Sequence, residues 1–199
     1  MAREKGAKKE AILRALAQML ENNPGGRITT ATLAAEVGVS EAALYRHFPS
    51  KAKMFEGLID FMEETLFSRI TRILGEGSNA LVQCEKITFL VLTFAERNPG
   101  ISRVLNGDAL VGETDRLRDR ASQVYNRLDT QLKQVFREAE LKEGLRTRLS
   151  TSVTSNLLIT FIEGKISQYV RTDFYQKPTD QWSEQWLYIN QDLFRRPGE

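Results

Sequence analysis

Apolar residues recur along this chain at three- and four-residue spacing, which predicts a succession of helices. Ile12, Leu13, Leu16, Met19 and Leu20 form the stripe of a first helix from Lys8 to about Asn22, and Asn22-Asn23-Pro24-Gly25-Gly26 ends it. Residues 1 to 7 read as a loose basic arm, either tracking a groove or simply frayed. Thr30 to Val37 has the spacing of a short helix capped by Thr29 or Thr30, and Gly38 supplies a left-handed turn after it. Ser40 can then cap a second short helix that opens on Glu41, Ala42 and Ala43, and Pro49 forbids its continuation. Ser50 caps a long helix to about Leu74, striped by Phe55, Ile59, Met62, Leu66, Ile70 and Ile73.

The remaining pattern is helical as well. Gly75 to Asn79 make a turn before a very apolar helix from Ala80 to Arg97, in which Ile87, Leu90, Val91 and Phe94 are core by default and Cys84 packs as a small apolar group. A short helix spans Ile101 to Asn106, and a long one runs from about Gly112 to Lys142 with Leu117, Val124, Leu128, Leu132 and Val135 on one face. The helix from about Ser150 to Arg171 is apolar on more than one face, through Val153, Leu157, Leu158, Phe161, Ile162, Ile166, Tyr169 and Val170. A second apolar face needs a partner, and in a chain this size another subunit is the expected one. Gly164 would let two helices approach closely or ease an internal contact. Pro178-Thr179-Asp180 starts a last helix that aligns Trp182, Trp186, Ile189 and Leu193, and Arg195 to Glu199 form a tail. The expected fold class is all-α.

Charge sharpens this picture. The net charge of the 199 residues is only +2, yet residues 1 to 53 hold nine Lys and Arg against five Asp and Glu, while the rest is slightly acidic. A basic end attracts phosphate. The single cysteine rules out an internal disulfide and fits a reducing cytoplasm. There is no signal peptide pattern and no apolar run of transmembrane length. One histidine and one cysteine make no metal cluster, and no nucleophile–base set or glycine-rich phosphate loop is present, so neither a metal, a cofactor nor an enzyme is expected.

The candidate chemistry therefore sits on surfaces. Two short helices meeting at a glycine turn form a helix-turn-helix, a geometry that presents its second helix to the major groove of DNA. With Leu44 and Phe48 turned inward, Ser40, Glu41, Ala43, Tyr45, Arg46 and His47 are left as the DNA-facing set. Arg27 and Thr29, with Thr30 at the start of the first short helix, sit where phosphate oxygens are met. Lys51 and Lys53 oppose the dipole of the helix they begin, a conflict that a phosphate would remove. Arg46 can instead pair with a carboxylate, and His47 is either a seam residue or a phosphate contact. Farther on, Phe61 projects about 130° from the middle of its helix stripe. Such an aromatic is either covered by a neighbouring helix or part of a partner groove. Arg69 lies between that flank and the core. Arg97 and Asn98 read either as a plain helix end or as a grip for an acidic extended peptide.

The run from Ala11 to Phe61, with Ile28-Thr29-Thr30, Ala34-Ala35-Glu36-Val37-Gly38-Val39-Ser40 and Leu44-Tyr45-Arg46-His47-Phe48-Pro49-Ser50-Lys51, resembles the DNA-binding domain of the TetR family of bacterial regulators. Most of that family carries Lys-Gly or a similar pair where this chain has Glu41-Ala42, so base contacts do not transfer directly. Phe94-Ala95-Glu96-Arg97-Asn98-Pro99-Gly100 and Ile162-Glu163-Gly164-Lys165-Ile166-Ser167 extend the likeness over essentially the whole chain, to the branch of the family that acts in nucleoid occlusion. The resemblance implies a DNA-binding domain over residues 1–53 and a helical dimerisation and partner-binding domain over 54–199. It implies a homodimer on palindromic DNA, joined through the C-terminal helices and located on the nucleoid in the cytoplasm. It further implies that Phe61, Arg69, Leu90, Arg97 and Asn98 take up the C-terminal tail of the division GTPase FtsZ and so inhibit septation. The alternative is a ligand-responsive repressor, which would need polar side chains in the core of the body; Thr88, Thr93 and Ser155 are the best candidates, and each can be satisfied by its own helix backbone.

Overall fold

The computed structural model describes residues 2–23, 26 and 28–195, with side chains from residue 6 onward. Nine α-helices lie among the described residues: α1 (Ala2–Asn22), α2 (Thr30–Val37), α3 (Glu41–His47), α4 (Lys51–Gly75), α5 (Ala80–Arg97), α6 (Pro99–Asn106), α7 (Asp115–Glu143), α8 (Thr151–Arg171) and α9 (Trp182–Gln191). The all-α expectation holds. One turn of 3-10 helix, Asp108–Leu110, follows α6, and two-residue strands β1 (Arg146–Thr147) and β2 (Phe194–Arg195) pair antiparallel.

The helix boundaries differ from the periodicity in instructive places. α1 begins at Ala2, within the stretch expected to be a loose arm, because Ala, Arg, Glu and Lys are all good helix formers and outweigh the single Gly6, with no proline to end the turn. α6 starts at Pro99 rather than Ile101, since proline fits the first helical position, where no N–H acceptor is needed. α7 starts three residues after Gly112, whose φ of 82° belongs to the preceding turn. α9 starts at Trp182 because the Asp180 carboxylate accepts the Lys177 N–H (3.0 Å) and closes a turn ahead of it. Leu193 is buried but lies beyond the end of α9.

The chain divides into two compact units. The first comprises Met1–Glu63 and Asn98–Ser122. Its core gathers Ile12, Leu16 and Leu20 of α1, Leu33 of α2, Leu44 of α3 and Met54, Phe55, Leu58, Ile59 and Met62 of α4, all nearly or wholly inaccessible. α6 lies directly on α1: a Cβ at Gly100 would come 1.9 Å from the Ala17 carbonyl oxygen, so only glycine permits this approach. Arg103 of α6 is buried, at 4% exposure. Its Nε donates to Asp108 Oδ2 at 2.7 Å, and its Nη1 donates to the carbonyls of Leu20 and Asn23 at 2.8 and 3.0 Å. The guanidinium thus serves the free carbonyls at the end of α1, where a cation also favours the helix dipole.

The second unit comprises Glu64–Arg97 and Gln123–Glu199. α5 buries Cys84, Ile87, Val91, Leu92 and Phe94, and α8 buries Leu158, Ile162 and Ile166. Trp182 and Trp186 of α9 stack with ring centroids 5.3 Å apart, and Phe89 of α5 stacks on Trp182 at 5.9 Å. The Tyr169 hydroxyl donates to the Glu96 carbonyl at 3.0 Å, tying α8 to the last turn of α5. Ser155 donates to Asp129 Oδ1 at 2.7 Å, a partner on α7 and not on its own helix. The hydroxyls of Thr88 and Thr93 are buried without a hydrogen-bond partner among the described residues, so the expectation that their own helix satisfies them is corrected.

Candidate nucleic-acid interface and partner groove

The helix-turn-helix is built from local chemistry. Thr29 is the N-cap of α2: its Oγ1 accepts the Thr32 N–H (3.1 Å) while Thr32 Oγ1 accepts the Thr29 N–H (3.2 Å), a reciprocal capping box. Gly38, at φ 74°, ends α2 in the left-handed region, and the next N–H, from Val39, returns to the Ala34 carbonyl at 2.9 Å. Ser40 then caps α3, its Oγ accepting the Ala43 N–H at 3.2 Å. Leu44 and Phe48 are buried, as their four-residue spacing predicts, and anchor the helix. After Pro49, Ser50 Oγ accepts the Lys53 N–H (3.2 Å) and α4 begins.

The outward face of α3 carries an organised polar set. Thr30 Oγ1 donates to Glu41 Oε2 at 2.8 Å, and the Tyr45 hydroxyl donates to Thr30 Oγ1 at 3.3 Å. Glu41 and Arg46 are exposed, Ala43 is half-buried, and the Tyr45 ring is 43% exposed. His47 is half-buried, and its Nδ1 is buried without a hydrogen-bond partner among the described residues. Arg27 lies outside the described residues.

Lys51 and Lys53 differ from the sequence reading in their partners. Lys51 Nζ donates to Glu113 Oε1 at 2.6 Å, and its ammonium lies 5.6 Å from the centre of the Phe55 ring. Lys53 pairs with Glu56, a hydrogen bond that holds the Glu56 carboxyl below its ordinary range. The dipole conflict at the start of α4 is therefore relieved within the protein, by acids three and 62 residues away in sequence.

In the same unit Phe61 is 46% exposed, off the core face as its angular position predicts. It borders an apolar groove of about 240 Å³ lined by Leu13 and Ala17 of α1, Leu58 of α4, and Asn98 and Ile101 at α6. Glu10 and Arg14 of α1 also line this groove, paired to each other at 2.8 Å. Phe61 and Asn98 are thus brought together, and the contribution of α1 was not read from the sequence; Leu13, counted there in the core stripe, is half-buried and lines the groove instead. Arg69, Leu90 and Arg97 belong to the second unit, where Arg69 and Arg97 are exposed and Leu90 is half-buried.

A capped, proline-stopped helix with an exposed polar face, set after a glycine turn, defines a helix-turn-helix DNA-binding protein. The model of the bacterial regulatory proteins of the tetR family matches residues 12–58, and that of the tetracyclin repressor-like, SlmA-like C-terminal domain matches residues 78–194. The nucleoid occlusion factor SlmA of Marinomonas sp. (strain MWYL1) is 60% identical over 97% of this chain and 98% of its own length. The factor of the same name from Shewanella amazonensis is 57% identical over 98% of both chains. Among solved structures, the fatty acid degradation regulator FadR of Bacillus halodurans superposes with a TM-score of 0.80 over 92% of this chain and 94% of its own at 14% identity. A TetR regulator of Haloarcula marismortui gives 0.78 over 96% and 100% at 18% identity. These two likenesses speak for the fold alone. The chain belongs to the SlmA nucleoid occlusion factors of the TetR family. It is a DNA-binding nucleoid occlusion factor. No helix among the described residues is long and apolar enough to cross a membrane.

Proposed function

We propose that this chain binds palindromic chromosomal sites as a homodimer, takes up the C-terminal tail of FtsZ while bound there, and thereby keeps the septum from assembling over the nucleoid, in the cytoplasm. The DNA-binding domain is residues 1–53, and the dimerisation and partner-binding domain is 54–199. Arg27, Thr29, Thr30, Ser40, Glu41, Ala43, Tyr45, Arg46, His47, Lys51 and Lys53 supply the DNA surface. Phe61, Arg69, Leu90, Arg97 and Asn98 supply the tail surface.

The observation that carries the partner reading is the half-exposed phenyl of Phe61 beside Asn98 on an apolar groove. A groove of that size accepts an apolar side chain, an amide beside it can pair with extended backbone, and arginines suit the acids of a tail. The dimer is supported by the exposed apolar side chains Val153 and Leu157 on α8 and Leu187 and Tyr188 on α9, at 49 to 81% exposure. Uncovered, such a surface disfavours a monomer; a second copy related by a two-fold axis would cover it with the same residues.

The test is to follow assembly of purified FtsZ with the full-length protein, with and without specific DNA. Inhibition is expected and should be stronger with DNA. Phe61→Ala should weaken tail binding roughly tenfold or more while leaving DNA affinity intact. If the DNA-bound protein neither binds the tail nor changes assembly, this reading fails and the ligand-responsive repressor takes its place.

A further inference from the structure

A carboxylate at the first position of a recognition helix is expensive for a DNA-binding surface. It repels phosphate on every sequence, and the dipole benefit it brings to the helix is small beside that. Glu41 is nonetheless exposed on this face, and its geometry is fixed rather than idle. Thr30 of α2 donates to Oε2 at 2.8 Å and in turn accepts the Tyr45 hydroxyl at 3.3 Å. A chain of hydroxyl hydrogen bonds therefore runs from the first residue of α3, through α2, to the phenol one turn on. Oε1 accepts no hydrogen bond among the described residues.

We propose that Glu41 is a base-reading residue that selects cytosine, with Oε1 accepting a hydrogen bond from the exocyclic N4 amine in the major groove, and that Thr30 is the positioning residue that holds this carboxylate in place. The proposal rests on the reading that α3 enters the major groove, where the N-terminal residues of such a helix meet base edges. The choice of base follows from the acceptor-only chemistry of a carboxylate. Guanine offers two acceptors and thymine an acceptor and a methyl group, so both repel it. Adenine offers an amine, but its N7 acceptor lies beside it and suits an amide better than a carboxylate. Cytosine presents a donor alone. The charge that reads this amine also lowers affinity for every site lacking it, so Glu41 trades overall affinity for discrimination.

The experiment uses the full chain as wild type, Glu41→Ala, Glu41→Gln and Thr30→Val, each selected against a random duplex library at fixed salt. Affinities are then measured on the enriched site, on copies in which each C·G pair becomes T·A, and on random DNA. For the wild type, one such conversion in each half-site is expected to weaken binding roughly tenfold, because the N4 donor becomes a carbonyl acceptor. Glu41→Ala should erase the penalty at that pair alone and bind random DNA as well as the wild type or several-fold more tightly. Glu41→Gln should shift the preference there toward adenine. Thr30→Val keeps the charge but should blunt the discrimination. The proposal is overturned, with the DNA reading intact, if Glu41→Ala enriches the same sequence with the same penalty. It is likewise overturned if Glu41→Ala loses all sequences equally, which would make Glu41 structural. A wild type that enriches no sequence would remove both the proposal and the reading beneath it.

Discussion

Arg103 shows how much one side chain can hold together. It is buried on α6, satisfies two carbonyls at the end of α1 and pairs with Asp108, whose own side chain is one-third exposed. Replacing it with methionine keeps the packing volume but orphans both carbonyls and the acid. The expected loss is about 3 kcal/mol, less than for a wholly buried pair because Asp108 can recruit water. Chemical denaturation checks the magnitude, and amide exchange should show protection falling first in the last turn of α1. The sequence presents Arg103 only as a cation between Ser102 and Val104, because its partners lie 80 and 83 residues away. A separation of 62 residues likewise hid Glu113 as the partner of Lys51. By contrast, Gly38, Ser40 and Pro49 were legible because each acts within a few residues of itself: a positive φ, a cap three residues ahead and a missing N–H need no tertiary partner.

At the scale of elements, the contact between α1 and α6 is limited by backbone rather than side chains. Gly100→Ala would drive a methyl into the Ala17 carbonyl, and backbone cannot rotate out of the way as a flexible side chain can. The two helices must separate, at a cost of about 3 kcal/mol. A thermal melt of the variant should fall by several degrees, and an unchanged melt would mean that the close approach is absent in solution. Helical periodicity located α1, α4, α5, α7 and α8 well because each is long and striped. It placed the starts of α1, α6, α7 and α9 less well: α1 extends six residues ahead of Lys8, where no apolar stripe marks it, and proline, a glycine turn and an Asp-closed turn decide the other three. The β1–β2 pairing was not legible at all: two residues show no alternation, and the partners lie 49 and 47 residues apart.

For the whole molecule, the buried Cys84 thiol and the half-buried Tyr125 phenol set an alkaline limit. Burial drives the Cys84 thiol up from its ordinary 9.0, and burial together with nearby Glu163 drives the Tyr125 phenol up from its ordinary 10.0. Each therefore keeps its proton in the folded chain at a pH where the unfolded chain has lost it. Their contribution is fully present below pH 9 and declines as pH rises through the unfolded values. Stability should fall by about 1.4 kcal/mol per pH unit once the thiol titrates, and by about twice that beyond the phenol. Denaturation midpoints measured from pH 7 to 10.5 would follow this course, and Cys84→Ala should flatten its first part. The second apolar face of α8 was legible in the sequence, and Val153 and Leu157 stand exposed on it; a pattern records that a face must be covered even when it does not say by what.

The stacked indoles of Trp182 and Trp186 are the only tryptophans in the chain, and both lie in the second unit. Their emission is therefore a private spectroscopic channel for that unit. The helix-turn-helix is silent in it, and of the five tyrosines only Tyr45 lies outside the second unit. Tryptophan emission set against far-ultraviolet circular dichroism, which reads the helices of both units, can thus time the melting of the second unit against that of the whole chain, and a gap between the two curves would itself measure how independently the units unfold.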